Sequence, residues 1–150
     1  MHKLRNLIVF ACGLLIAGAG FSQEGLIAPI GEWTAYVSQK SAIAVAERGW
    51  QVYCATDGGV FSFDRQTAAK KQITTVDGLS DVSPTAIFGD SAAGKVFVGF
   101  GDGMVNVLDE EDKVTYISDI ARSDLFTTKR INRFETTGDL LYIATEFGIV

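Results

Sequence analysis

The chain has 150 residues, of which 47% are hydrophobic and 21% charged, and a formal net charge of −5. An acidic surface repels phosphate backbones, which argues against a nucleic-acid partner. The only histidine, His2, and one of the two cysteines, Cys12, lie within the first 22 residues. The rest of the chain therefore lacks the imidazole that a serine triad, a thiol–imidazole pair or a Cys/His zinc site requires.

The first segment reads as a targeting signal. His2, Lys3 and Arg5 give a basic start, Leu7 to Ala19 is apolar or glycine, and small residues follow up to Ser22. That three-part plan predicts a secretory signal peptide over residues 1–22, cleaved near Ser22/Gln23. The apolar run is short for a membrane span, which needs about 20 residues. Too few apolar residues precede Cys12 for a lipoprotein signal, and Phe10 stands two before it. Residues 23–150 keep 11 basic and 18 acidic residues, a formal charge of −7. They keep one cysteine, Cys54, so no disulfide within the segment is available although an exported chain would permit one. Cys54 falls inside an apolar run and is expected to be a buried, inert thiol.

Downstream the chain reads as strands. Trp33–Ser38 is the first candidate, followed by Ser41–Glu47, Trp50–Thr56, Val60–Asp64 and Lys70–Val76. Two apolar runs around Asp57-Gly58-Gly59 mark a hairpin whose glycines tolerate positive φ. The order then recurs: Thr85–Asp90, Lys95–Phe100, Met104–Asp109 and Lys113–Ile117, and once more Lys129–Glu135 and Leu140–Thr145. Tyr53, Phe97 and Tyr142 are spaced 44 and 45 residues apart, as are Gly59, Gly103 and Gly148. Ile43, Ile87 and Ile131 are spaced by 44, and we read them as a third repeat-equivalent set. Four short strands in a repeat of that length make one propeller blade. The fold class is therefore all-β, a partial β-propeller of about two and a half four-stranded antiparallel blades. Closed rings have four to eight blades. Residues 23–150 are thus expected to be the N-terminal part of a propeller in a longer chain, with Trp33–Ser38 completing the last blade.

Few residues carry chemistry. Gly99-Phe100-Gly101-Asp102-Gly103 lies between two strands and not before a helix, so it reads as a hairpin and not a phosphate cradle. Asp109-Glu110-Glu111-Asp112 offers oxygens for calcium but lacks the spacing of a dedicated loop, and a solvated turn is expected. Trp33, Trp50, Tyr53, Phe61, Phe63, Phe97, Phe100 and Tyr142 are expected mainly to pack blade against blade, with Trp50 the best candidate for an exposed aromatic. Arg130 and Arg133 are candidates to face a central channel and bind an anion. No catalytic, cofactor or metal residue is expected; the site residues are a structural signature, Tyr53, Gly59, Phe97, Gly103, Tyr142 and Gly148.

These stretches carry a family resemblance. Tyr53–Asp64 (YCATDGGVFSFD), Phe97–Asp109 (FVGFGDGMVNVLD) and Tyr142–Val150 (YIATEFGIV) resemble two-component-regulator propeller repeats, with their aromatic-apolar-x-Thr-x-x-Gly-Leu pattern. Phe100 replaces the threonine in the second unit, and Val60, Met104 and Ile149 stand where leucine is usual. Ile30–Tyr36, Asp77–Asp81 and Thr145–Val150 resemble the N-terminal propeller of PorZ-type proteins of the type IX secretion apparatus of Bacteroidetes. That resemblance implies a large exported protein at the outer-membrane surface, in an attachment complex with a sortase and linked to an anionic lipopolysaccharide. It implies a non-catalytic scaffold and transfers no functional residue. A periplasmic glycan-sensing propeller of a hybrid two-component system and a propeller polysaccharide lyase are the alternatives.

Overall fold

A computed structural model describes Val37 and residues 40–150. The expected signal peptide, and the expected strand Trp33–Ser38 apart from Val37, lie outside the described residues. The first sheet comprises β1 (Ala42–Arg48), β2 (Gln51–Thr56), β3 (Gly59–Asp64) and β4 (Lys70–Ile73). The second comprises β5 (Pro84–Asp90), β6 (Lys95–Phe100), β7 (Val105–Leu108) and β8 (Val114–Ile117). The third comprises β9 (Ile131–Thr137), β10 (Leu140–Thr145) and β11 (Gly148–Ile149). Each is an antiparallel meander with strands in chain order, so the three have one topology. This is the all-β, propeller-type architecture read from the repeat.

The alternation of apolar side chains builds two inter-sheet layers. Between the first and second sheets lie Ala46, Tyr53, Ala55, Val60, Ile73 and Leu79 against Ile87, Val96, Val98, Phe100 and Leu108. Between the second and third lie Ala86, Phe97, Val105 and Val107 against Ile131, Phe134 and Ile143, closed at one end by Ile120. Tyr53 faces the second blade and Phe97 faces the third, each as the third residue of its strand. Tyr142 holds the same place in β10 but is 42% exposed, against the expectation of core packing. Its face of the third sheet meets no further sheet among the described residues. Phe63 is 40% exposed, on the equally uncovered face of the first sheet.

The isoleucine series does not mark equivalent positions. By strand pairing Val45 faces Cys54, Ile87 faces Val98, and Phe134 faces Ile143. Those three, and not Ile43, Ile87 and Ile131, share one place in the blade. The cause is loop length: β1–β2 and β9–β10 turn through two residues, whereas β5–β6 turns through residues 91–94. Ile43 lies two residues from Val45, which preserves the face because side chains alternate with period two; Ile131 lies three from Phe134, and the register shift at Ala144/Thr145 returns it to the same layer. A register shift recurs at the same place in all three blades, between Ala42/Ala44, Pro84/Ala86 and Ala144/Thr145.

Two other expectations change. The strand expected to reach Val76 stops at Ile73, because Thr74 caps a single 3-10 turn, Thr75–Asp77. The Thr74 hydroxyl accepts from Val76 N at 3.3 Å, and Asp77 Oδ2 accepts from Thr74 N at 2.9 Å. This reciprocal cap outweighs the β-branched run Ile73-Thr74-Thr75-Val76. The polar stretch after β8 contains one helical turn, α1 (Asp119–Arg122).

The hairpin glycines explain their motif. Gly59, Gly103 and Gly148 have φ of 125°, 90° and 139°. In the first blade Thr56 Oγ1 donates to Gly59 O at 3.1 Å and accepts from Gly58 N at 3.3 Å. In the third, Thr145 Oγ1 donates to Gly148 O at 2.8 Å and accepts from Phe147 N at 3.3 Å. The motif threonine therefore staples the turn from inside. Where Phe100 replaces it, the loop is longer and Asp102 Oδ1 accepts from Met104 N at 3.0 Å instead. A side chain at Gly59 would be forced to positive φ, with its Cβ 2.8 Å from Ile73 O. Replacing Gly59 with valine is expected to cost more than about 1 kcal/mol. A melting curve unchanged by that substitution would count against the turn assignment.

Candidate functional site

The charged turn between β7 and β8 is where the structure departs furthest from the sequence reading. Asp109 Oδ1 accepts from Glu111 N at 3.1 Å and Lys113 N at 2.8 Å, which folds the turn on its first residue. Asp112 then takes a left-handed φ of 62° and points back between the blades. Its side chain is 5% exposed and that of Arg48 is 7% exposed, with 3.1 Å between Arg48 Nη2 and Asp112 Oδ1. Lys71 Nζ lies 3.0 Å from Asp112 Oδ2. The Tyr53 hydroxyl lies 2.6 Å from both Asp112 Oδ1 and Gln51 Oε1, two acceptors for one proton. Arg48 also donates to Gln51 Oε1 at 2.7 Å and to the carbonyls of Asp109 and Glu110, and its guanidinium lies over the Tyr53 ring. Asp112 is thus an inter-blade tie and not part of a solvated turn. Among the described residues no group of three or more His, Cys, Asp or Glu is arranged to hold a metal ion.

Burial, then the hydrogen bond to Asp112, pushes the Tyr53 hydroxyl above its ordinary pKa of 10.0. Burial also pushes the Cys54 thiol up. Both folded values are raised, so the folded state binds these protons more tightly than the unfolded state. The stability they contribute is complete at neutral pH. It is lost as pH rises past the unfolded values of about 8.5 for cysteine and 10 for tyrosine. The urea midpoint is expected to be flat from about pH 7 to 8 and to fall above about 9. A Tyr53→Phe variant, normalised to its own neutral midpoint, is expected to fall less steeply. An identical alkaline decline would remove Tyr53 from this account.

The other candidates are dispersed. Cys54 is buried, its Sγ 3.7 Å from its neighbour's carbonyl Ala55 O, and the Lys70 charge only partly offsets the effect of burial on the thiol. Trp50 is 61% exposed at the β1–β2 turn. Arg65 braces it, with Cζ 5.7 Å from the ring centroid and Nη2 donating to Gly49 O at 2.8 Å. Arg133 pairs with Glu135 at 3.2 Å on the uncovered face of β9. Arg130 lines an open groove of about 560 Å³ between the second and third blades, with Asp102, Thr127, Thr128, Lys129 and Glu146. Lys129 Nζ there donates to Ala121 O at 2.7 Å. Beside it Phe126 and Phe147 stack at 3.8 Å between centroids, an aromatic pair not singled out from sequence. The repeat signature Tyr53, Gly59, Phe97, Gly103, Tyr142 and Gly148 is spread over three sheets and does not converge on one site.

Comparison with known proteins fits these blades. No curated protein matches the chain. The chain is similar to the structure of PorZ, described as an essential bacterial surface component of the type IX secretion system of Porphyromonas gingivalis. The identity is 22% and the TM-score 0.72, over 79% of this chain and 16% of that one. The chain thus spans about one-sixth of that protein's length. A chain of the mitotic checkpoint complex has a similar fold at 14% identity and TM-score 0.54, over 83% of this chain and 42% of that one. The sequence model of the PorZ N-terminal β-propeller domain matches residues 52–150. On that match, and on blades of the expected topology, the chain belongs to the family of PorZ N-terminal β-propeller domains of the type IX secretion system.

Proposed function

We propose that the full-length protein is an exported, non-catalytic scaffold of the type IX secretion system. Residues 1–22 direct export, and residues 23–150 begin a propeller displayed at the outer-membrane surface. Its partners are proteins of a sortase-type attachment complex, with anionic lipopolysaccharide as a second candidate ligand. The family match over residues 52–150 carries this reading. The surface location given for the similar PorZ protein supports it. The lack of histidine in residues 23–150, and a lone cysteine in that segment whose thiol is buried and pushed up in pKa, support binding over catalysis. Propellers present rigid loops at both ends of their blades, and binding through them needs no nucleophile. Intact host cells carrying an epitope-tagged full-length protein test the proposal. Labelling of unpermeabilised cells and cross-linking to the sortase are expected. A tag reached only after permeabilisation, with no sortase adduct, would overturn it.

A further inference from the structure

We infer that the buried clasp of Arg48, Tyr53 and Asp112 selects the second blade as the neighbour of the first, so that blades of nearly equal shape assemble in one order. The apolar layers cannot do this alone. Both are built of aliphatic and aromatic side chains, with Tyr53 and Val60 of the first answered by Phe97 and Val105 of the second, and hydrophobic burial is non-directional. Misassembly between like units is a characteristic failure of repeat proteins.

The clasp does not repeat. Strand pairing sets Arg48 opposite Gln51, Asp90 opposite Lys95 and Thr137 opposite Leu140, so the guanidinium position holds a carboxylate in the second blade and a hydroxyl in the third. The position of Tyr53 holds Phe97 and then Tyr142. Asp112 has its own counterpart in Ala68. Each is the left-handed residue that closes its turn, with φ of 62° and 59°, three and four residues after Asp109 and Asp64 respectively. Only the first blade presents Arg48, Gln51 and Tyr53 together, and of the two described turns only that of the second presents the carboxylate. Against a turn like that of Ala68, Arg48 would be buried with no anion. With Asp90 in the place of Arg48, two carboxylates would meet. A buried charge without its partner is strongly unfavourable, so each wrong pairing is selected against.

The test compares refolding with stability in the full chain. Arg48→Met, Tyr53→Phe and Asp112→Asn are combined; asparagine tolerates the left-handed backbone at 112. Ile73→Val and Ile73→Ala, which trim the same layer, set the relation between urea midpoint and the monomer yield recovered on dilution from urea. The triple variant is expected to fall at least threefold below that relation, with the missing protein in dimers and larger species. Asp112→Asn alone is read against the same relation, and also falls below it, should the triple variant not fold. Monomer yield on the Ile73 relation for the variants that fold would overturn the proposal and leave the clasp a local tie.

Discussion

Replacing Gly89 with alanine is expected to destabilise the protein by about 3 kcal/mol or more, although the change adds one methyl group. Gly89 sits in β5, the strand that adjoins β1 of the first blade, and its φ is not in the left-handed region. The demand is steric. An added Cβ would overlap the carbonyl oxygen of Glu47, and Glu47 N would lie 3.2 Å away. Backbone belonging to a paired strand cannot swing aside as a side-chain tip does, so the two blades must separate. Separation would open the layer that holds Tyr53, Val96, Val98 and Phe100. Close packing makes that costly. Urea unfolding of the variant, beside Gly101→Ala as a control at a glycine outside the left-handed region whose added Cβ would meet only Thr85 Cγ2 at 4.0 Å, checks the expectation. Equal midpoints for the two variants would mean that β1 and β5 do not approach as described.

The second large effect is expected at Asp112. Replacing it with alanine removes the anion from beside Arg48, Tyr53 and Lys71 while Arg48 stays buried. Breaking a buried pair from one side costs about 3–5 kcal/mol, because the remaining charge is uncompensated. Alanine at a φ of 62° adds strain of the same sign. Lys71 contacts the same carboxylate but is half exposed, so Lys71→Ala is expected to cost about 1 kcal/mol or less. Denaturant midpoints for the two variants should therefore differ widely. An Asp112→Ala loss no larger than that of Lys71→Ala would show the pair to be solvated in solution.

What could be read in the sequence followed the period of the strand. Tyr53, Phe97 and Tyr142 recur on one face because alternation and a nearly constant repeat keep them there, so blade number and strand order were visible. The isoleucines misled because a two-residue change in turn length, and for Ile131 the register shift at Ala144/Thr145 as well, moves the register and leaves the face intact. Thr74 and Asp77 form a cap of the threonine-x-x-acid kind, a signal present in the sequence but hidden inside a β-branched run. The clasp was not legible, because Arg48 and Asp112 stand 64 residues apart and neither residue type announces burial. Asp112 also lay in a run of four acids that resembled any exposed turn. Gly89 gave no sign, since a glycine needed for close approach looks like any other glycine until the neighbouring strand is in place. The grooved rim around Arg130, Phe126 and Phe147 depends on loops from two blades converging, and strand periodicity does not address loops.

Deleting the gene in its host tests the central claim most directly. Cargo proteins of the type IX system would be followed for processing and for attachment to the cell surface. The deletion strain is expected to leave them unprocessed or unattached, and the full-length gene supplied in trans to restore both. Normal cargo attachment in the deletion strain, together with loss of growth on one polysaccharide, would contradict the scaffold reading and favour a glycan-sensing propeller.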